Sequence, residues 1–130
     1  MPNPNIKPTY AFTKTDATLD QALTSFLTLN VRNYERLFFR IAITVQATDQ
    51  FQIDVKPYQA GTAVTIAGPT TATDFTSPNL PLVFASEDLA SIAAGATAYA
   101  IMDVRGLEEV DLKLAFAADN GTYVIDYGLQ

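Results

Sequence analysis

Between Leu37 and Gln46 the chain alternates without a break, Leu37, Phe39, Ile41, Ile43 and Val45 interleaving with Phe38, Arg40, Ala42, Thr44 and Gln46. A period of two puts the first set on one face of an extended strand and the second on the other, which a helix of about 3.6 residues per turn cannot do. After Thr48, Asp49 and Gln50 the pattern resumes, with Phe51, Ile53 and Val55 predicted inward and Gln52, Asp54 and Lys56 outward. Two alternating runs joined by a short polar turn predict an antiparallel hairpin.

Later segments read the same way. ATAYAIMDV, EEVDLKLAF and TYVIDYG are predicted strands, the last two joined through Ala118, Asp119, Asn120 and Gly121. Asn-Gly between alternating runs predicts a second hairpin. From 57 to 81, six prolines and glycines (Pro57, Gly61, Gly68, Pro69, Pro78, Pro81) stand among many threonines, leaving room only for short strands such as AVTIA. SEDLASIAAG is predicted as one short helix, with Ser86 as N-cap, Glu87 and Asp88 near its positive end and Gly95 ending it.

Asp16 to Leu29 is mixed. Leu19, Leu23, Phe26 and Leu27 fit helical spacing, whereas Thr24, Thr28 and the later Val31 favour strand, so a short turn or helix followed by a strand is expected. Residues 1–12 open with Pro2, Pro4 and Pro8 and are expected to form an extended N-terminal arm preceding a single domain, 13–130. Pro4, Ile6, Tyr10 and Phe12 on this arm need a surface to lie on, supplied by the domain's own edge or by a neighbouring subunit; together with Tyr58 they are the candidate interface residues. The predicted fold is all-β: an antiparallel sandwich of jelly-roll type, with about seven or eight strands and one short helix. Phe38, Phe39, Phe51 and Phe116 are expected in its core, and Tyr58, Tyr99, Tyr123 and Tyr127 half-exposed.

Composition fits this reading. The chain has 130 residues, 48% hydrophobic and 17% charged, enough for one packed core and too apolar for disorder. Its net charge of −6 argues against binding nucleic acid, which requires clustered Lys and Arg. Arg32, Arg36 and Arg40 recur every fourth residue and are expected to be ion-pair partners on a solvated face. No run reaches about 18 apolar residues, and the first residues lack a basic segment followed by an apolar one, so neither a membrane span nor Sec export is expected.

The inventory of reactive groups is thin. With no histidine and no cysteine, the commonest general base, the thiol nucleophile and the imidazole and thiolate metal ligands are missing. No Ser-x-x-Lys spacing occurs, and no glycine-rich phosphate loop. Glu108, Glu109 and Asp111 are the densest acidic cluster and the only basis for a hydrolase reading, but turn and strand-surface positions account for them. Asp119-Asn120-Gly121 resembles part of a calcium loop without its spaced carboxylates, and a turn explains it. No enzyme activity, metal or cofactor is expected.

The segment LVFASEDLASIAAGATAYAIMDVRGLEEVDLKLAFAADNGTYVIDYG, with its Ser-x-Asp-Leu-Ala-x-Ile-Ala-Ala-Gly crossing, a strand ending in Asp-Val, a glycine turn and a final Asn-Gly turn, resembles small virion structural proteins of tailed bacteriophages. The resemblance implies a β-sandwich attached to a capsid or tail, chiefly a decoration or cement protein that binds major capsid subunits and stabilises the shell. Its expected partners are major capsid or other virion proteins and further copies of itself, and its expected location is the virion. A carbohydrate- or host-surface-binding module is the other function such a sandwich supports.

Overall fold

The computed structural model describes residues 9–19 as backbone and residues 22–58, 61–67, 82–118 and 120–130 with their side chains. Among the described residues nine strands follow in order: β1 (Thr9–Leu19), β2 (Thr24–Asn30), β3 (Arg36–Val45), β4 (Thr48–Pro57), β5 (Val64–Ala67), β6 (Leu82–Ala85), β7 (Thr97–Asp103), β8 (Leu107–Phe116) and β9 (Gly121–Leu129). They form two antiparallel sheets, sheet A in the order β1-β9-β3-β7-β6 and sheet B in the order β2-β8-β4-β5. Setting aside β6, a short addition to one edge, the remaining eight pair as two four-stranded sheets with the chain crossing repeatedly between them. This is the expected jelly-roll-type sandwich.

The core lies between the sheets. Leu37, Phe39, Ile41 and Ile43 of β3 meet Phe51, Ile53 and Val55 of β4, with Leu112 and Leu114 of β8 and Tyr123 and Ile125 of β9. Phe26 sits 5.5 Å from Tyr123, edge to face, and 6.1 Å from Phe51. The faces read from alternation are the faces observed except at Val45, which is exposed beyond a register shift after Ile43. Phe38, expected in the core, belongs to the outward set of β3 and is half-buried on the outside of sheet A.

Both expected hairpins are arches instead. β3 pairs with β7 and β9, while β4 pairs with β5 and β8 in the other sheet. β8 and β9 likewise lie in different sheets. Each turn throws the chain across the core, so the apolar faces of its two strands stack rather than lie side by side. Gln46 and Asn120 take positive φ, 65° and 67°, at the two crossings, and the Ala117 N–H donates to Ala47 C=O at 2.8 Å, tying one arch to the other. Gly121 is required here, because a Cβ would overlap the buried ring of Phe116.

Among the described residues of the segment Asp16 to Leu29, none is helical. Residues 16–19 complete β1, which pairs with β9 from Thr9↔Leu129 to Leu19↔Gly121. The expected helix in SEDLASIAAG is a single 3₁₀ turn, Leu89–Ser91, capped by Asp88, whose carboxylate accepts from Ala90 N–H at 3.0 Å. Ser86 is not the cap; its N–H donates to Tyr99 C=O and its hydroxyl accepts from Tyr99 N–H, both at 2.8 Å, extending the β6–β7 pairing. Leu89 and Ile92 close this end of the core. The buried Thr48 hydroxyl holds them, accepting from Ile92 N–H at 2.6 Å and donating to Leu89 C=O at 3.2 Å.

Candidate functional site

The end of the sandwich opposite the 3₁₀ turn is built from the β2–β3, β4–β5 and β7–β8 connections. The Val31 N–H donates to Glu108 C=O, Tyr58 N–H to Gly106 C=O and Val104 N–H to Glu35 C=O, so three connections share one hydrogen-bonded rim. Gln130 joins it through Glu35 and Arg36. Thr9, where β1 starts, pairs with Leu129 beside Gln130 and therefore lies at this same end.

Tyr58, singled out in the sequence, is 41% exposed here. It is held rather than loose: its hydroxyl accepts from Asn33 N–H at 3.3 Å, and the Arg32 guanidinium stands 5.3 Å from its ring centre. Asn33 has φ of 73°, which turns the chain so that its N–H points at Tyr58. Tyr34, 42% exposed, adds a second ring to the same rim. Of the other candidate residues, Tyr10 and Phe12 fall within β1, opposite Gly128 and Tyr127. The strand thus claims the last four residues of the expected arm and lays them on the domain's own edge. Pro4 and Ile6 lie outside the described residues.

The outward face of sheet A carries a second feature, which sequence reasoning missed. Register aligns Phe38 with Ile101 and Ile101 with Phe84 across β3, β7 and β6, and in the next outward row Asp126 with Arg40 and Arg40 with Tyr99 across β9, β3 and β7. Phe84 is 39% and Tyr99 52% exposed. These side chains line a cavity of about 630 Å³, with Arg40 bonded to Asp126 in its floor. Burial works against the charge of Arg40, but hydrogen bonding and attraction from Asp126, and then from Tyr99, hold its pKa above the ordinary value. Next along the face, Asp103 binds Arg105 at 2.7 Å and Arg36 at 3.7 Å, and the Arg105 side chain holds the Asp103 pKa down at about 2. Arg36 and Arg40 are thus the ion-pair partners expected of them, while Arg32 lies outside the strand against Tyr58.

Sheet B's outward face is different. Asp54, only 8% exposed, accepts from Thr65 at 2.6 Å and from Gln52 at 2.8 Å, and pairs with Lys113 at 2.9 Å. Burial would raise its pKa, but those three partners outweigh burial and lower it. Asp111 accepts from Ser25 at 2.9 Å and Thr28 at 3.0 Å, and Glu108 pairs with Lys56 at 3.7 Å. The acidic cluster is therefore spread over polar contacts of the sheet surface. Among the described residues, no three acidic side chains come together as a metal site. Tyr123 and Tyr127, expected half-exposed, are buried; the Tyr123 hydroxyl donates to Phe26 C=O at 3.3 Å, and burial pushes its pKa up to about 12.

No protein-family model matches the chain, and no curated protein matches it. Among solved structures, the crystal structure of SPBc2 prophage-derived protein YomS superposes over 98% of this chain and 100% of its own, with a TM-score of 0.55 and 14% sequence identity. At that identity the likeness is one of fold.

Proposed function

We propose that the chain is a non-enzymatic structural protein of a tailed-phage virion, a capsid decoration or cement protein that docks on major capsid subunits and stabilises the shell. The observation that carries this reading is the rim at one end of the sandwich, where the exposed rings of Tyr34 and Tyr58, the Arg32 guanidinium and the start of β1 at Thr9 are gathered. Tyrosine and arginine at a rigid, hydrogen-bonded rim suit a protein contact, because little side-chain freedom remains to be lost on docking. Residues preceding Thr9 join the domain at this rim, so an arm and a tyrosine surface act on one neighbour, each raising the effective concentration of the other. The sandwich shared with a prophage-derived protein and the phage-like C-terminal segment support the same reading.

The test is co-sedimentation with capsid shells of the encoding phage that lack this protein. The intact chain is expected to bind and to raise the temperature at which shells rupture. Deletion of residues 1–8, stopping short of β1, and Tyr58→Ala are each expected to weaken binding about tenfold, or about 1.4 kcal/mol. Shells that ignore the intact protein would sink the cement reading; shells that bind both variants as well as the parent would remove the rim from it.

A further inference from the structure

The geometry points to a second, separate site: the cavity on the outward face of sheet A binds an uncharged saccharide, with Tyr99 and Phe84 stacking on sugar rings and Arg40 donating to their hydroxyls. This goes beyond the docking reading and uses a different surface, since the cavity lies on a sheet face and Tyr58 on the end rim.

Three features select this ligand class. The volume of about 630 Å³ falls inside the range of about 300–1,000 Å³ typical of ligand pockets, and the lining matches theirs, mainly apolar and aromatic with a few placed polar groups. The polar groups are a cation already matched by an anion. Arg40 is bonded to Asp126, so the floor attracts no phosphate or sulfate strongly, and the net charge of −6 repels polyanions at a distance. Arg40 nevertheless has a side chain 46% exposed, and a guanidinium carries five N–H donors in a planar fork, more than the Asp126 carboxylate and the Tyr99 hydroxyl consume. Finally, the ion pair stands beside the apolar row formed by Phe38, Ile101 and Phe84. A flat protein surface laid over this arrangement would desolvate the pair without replacing its water, which is costly. A sugar presents C–H faces to the rings and hydroxyls to the guanidinium at once, so it covers the apolar part and rehydrates the polar part.

The experiment is a glycan array carrying neutral, sialylated and sulfated oligosaccharides, probed with the intact chain, followed by calorimetric titration of the strongest neutral oligosaccharide. Neutral glycans are expected to be retained in preference to acidic ones. Tyr99→Ala and Phe84→Ala are each expected to weaken the titrated affinity about tenfold, as is Arg40→Lys, which keeps the charge and loses the fork. Both rings are exposed, so the variants are expected to melt with the parent, and a melting control identifies any that misfold. Tyr58→Ala is expected to bind glycan unchanged, and Tyr99→Ala to bind shells unchanged, so the two sites fail independently. Retention of acidic glycans alone, no retention of any neutral glycan, affinity indifferent to both ring substitutions, or a dimer in sedimentation velocity that Tyr99→Ala dissociates would each overturn the proposal, the last by giving the face to a second copy.

Discussion

The two outer faces of the sandwich sit on one core yet solve the problem of meeting water in opposite ways. On sheet B, Gln52, Asp54, Thr65 and Lys113 bond to one another, and Ser25 and Thr28 bond to Asp111, so the surface is polar and internally satisfied. On sheet A, Phe38, Ile101, Phe84 and Tyr99 point outward beside the Arg40–Asp126 pair, with Asp103 and its two arginines further along the face. A satisfied polar array contributes to stability and offers a partner little, because its donors and acceptors are already used. Exposed rings contribute little to stability and offer a partner apolar area that folding left uncovered. The faces are thus divided between a polar array bonded within itself and apolar area left open.

That division can be broken experimentally, most sharply on sheet B. Lys113→Met leaves the nearly buried Asp54 carboxylate with neutral donors only, and a loss of about 2–3 kcal/mol is expected in urea unfolding; a loss below about 0.5 kcal/mol would show that the array does not stabilise the sheet. Acid comes next. The Asp54 and Asp103 pKa values are both lowered in the fold, so their contributions are whole above the ordinary carboxylate pKa and are lost as pH falls through the depressed values, toward about 2 for Asp103. Between about pH 5 and pH 2 the parent is expected to lose about 1–2 kcal/mol from these groups. Arg105→Ala should remove only the Asp103 share, separating the titration of the two faces.

Asp111→Ala is expected to cost about 0.5–1 kcal/mol, since water can replace the acceptor that the exposed Ser25 and Thr28 hydroxyls lose. Smallest of all, Phe84→Ser and Tyr99→Ser should shift stability by no more than about 0.5 kcal/mol. A loss above about 1.5 kcal/mol in either would mean that the sheet A rings are packed in the native state, and the contrast between the faces would disappear.

Much of this was legible in the chain itself. Alternation at 37–44 and 51–56 assigned each residue to a face correctly because facing depends only on the two-residue repeat of a strand; it failed at Val45, which is exposed beyond a register shift after Ile43. Partnership was not legible from the same pattern: Leu37–Val45 and Phe51–Val55 present the same apolar faces whether their strands lie side by side or stack across a core. Asn120 and Gly121 marked a turn correctly for the same local reason, and did not reveal that the turn crosses between sheets. The helical signal at SEDLASIAAG shrank to one turn because Leu89 and Ile92 are drawn into the end of the core while Asp88, two residues beyond the expected Ser86, supplies the cap. Tyr58 could be found because it follows a strand directly. The sheet A cavity could not: Phe38, Tyr99 and Phe84 come from three strands whose adjacency, β3-β7-β6, no local pattern encodes. The available signals were single residues, an outward Phe38 in the alternating strand and a Tyr99 expected to be half-exposed, with nothing to place them side by side.

The pairing of β1 with β9 has a consequence for how the molecule is made. Among the described residues, only β4–β5 and β6–β7 join strands that are neighbours in both sequence and sheet; the other ladders wait for distant chain, and sheets closed by such contacts form slowly. During synthesis, at about 5–20 residues per second, β1 emerges first and has no sheet partner until β9 follows. β1 must therefore stay unpaired while β2 to β8 are made, and the rim that begins at Thr9 is completed only with β9, so a ribosome that stalls before β9 releases a chain with neither the sheet nor the rim.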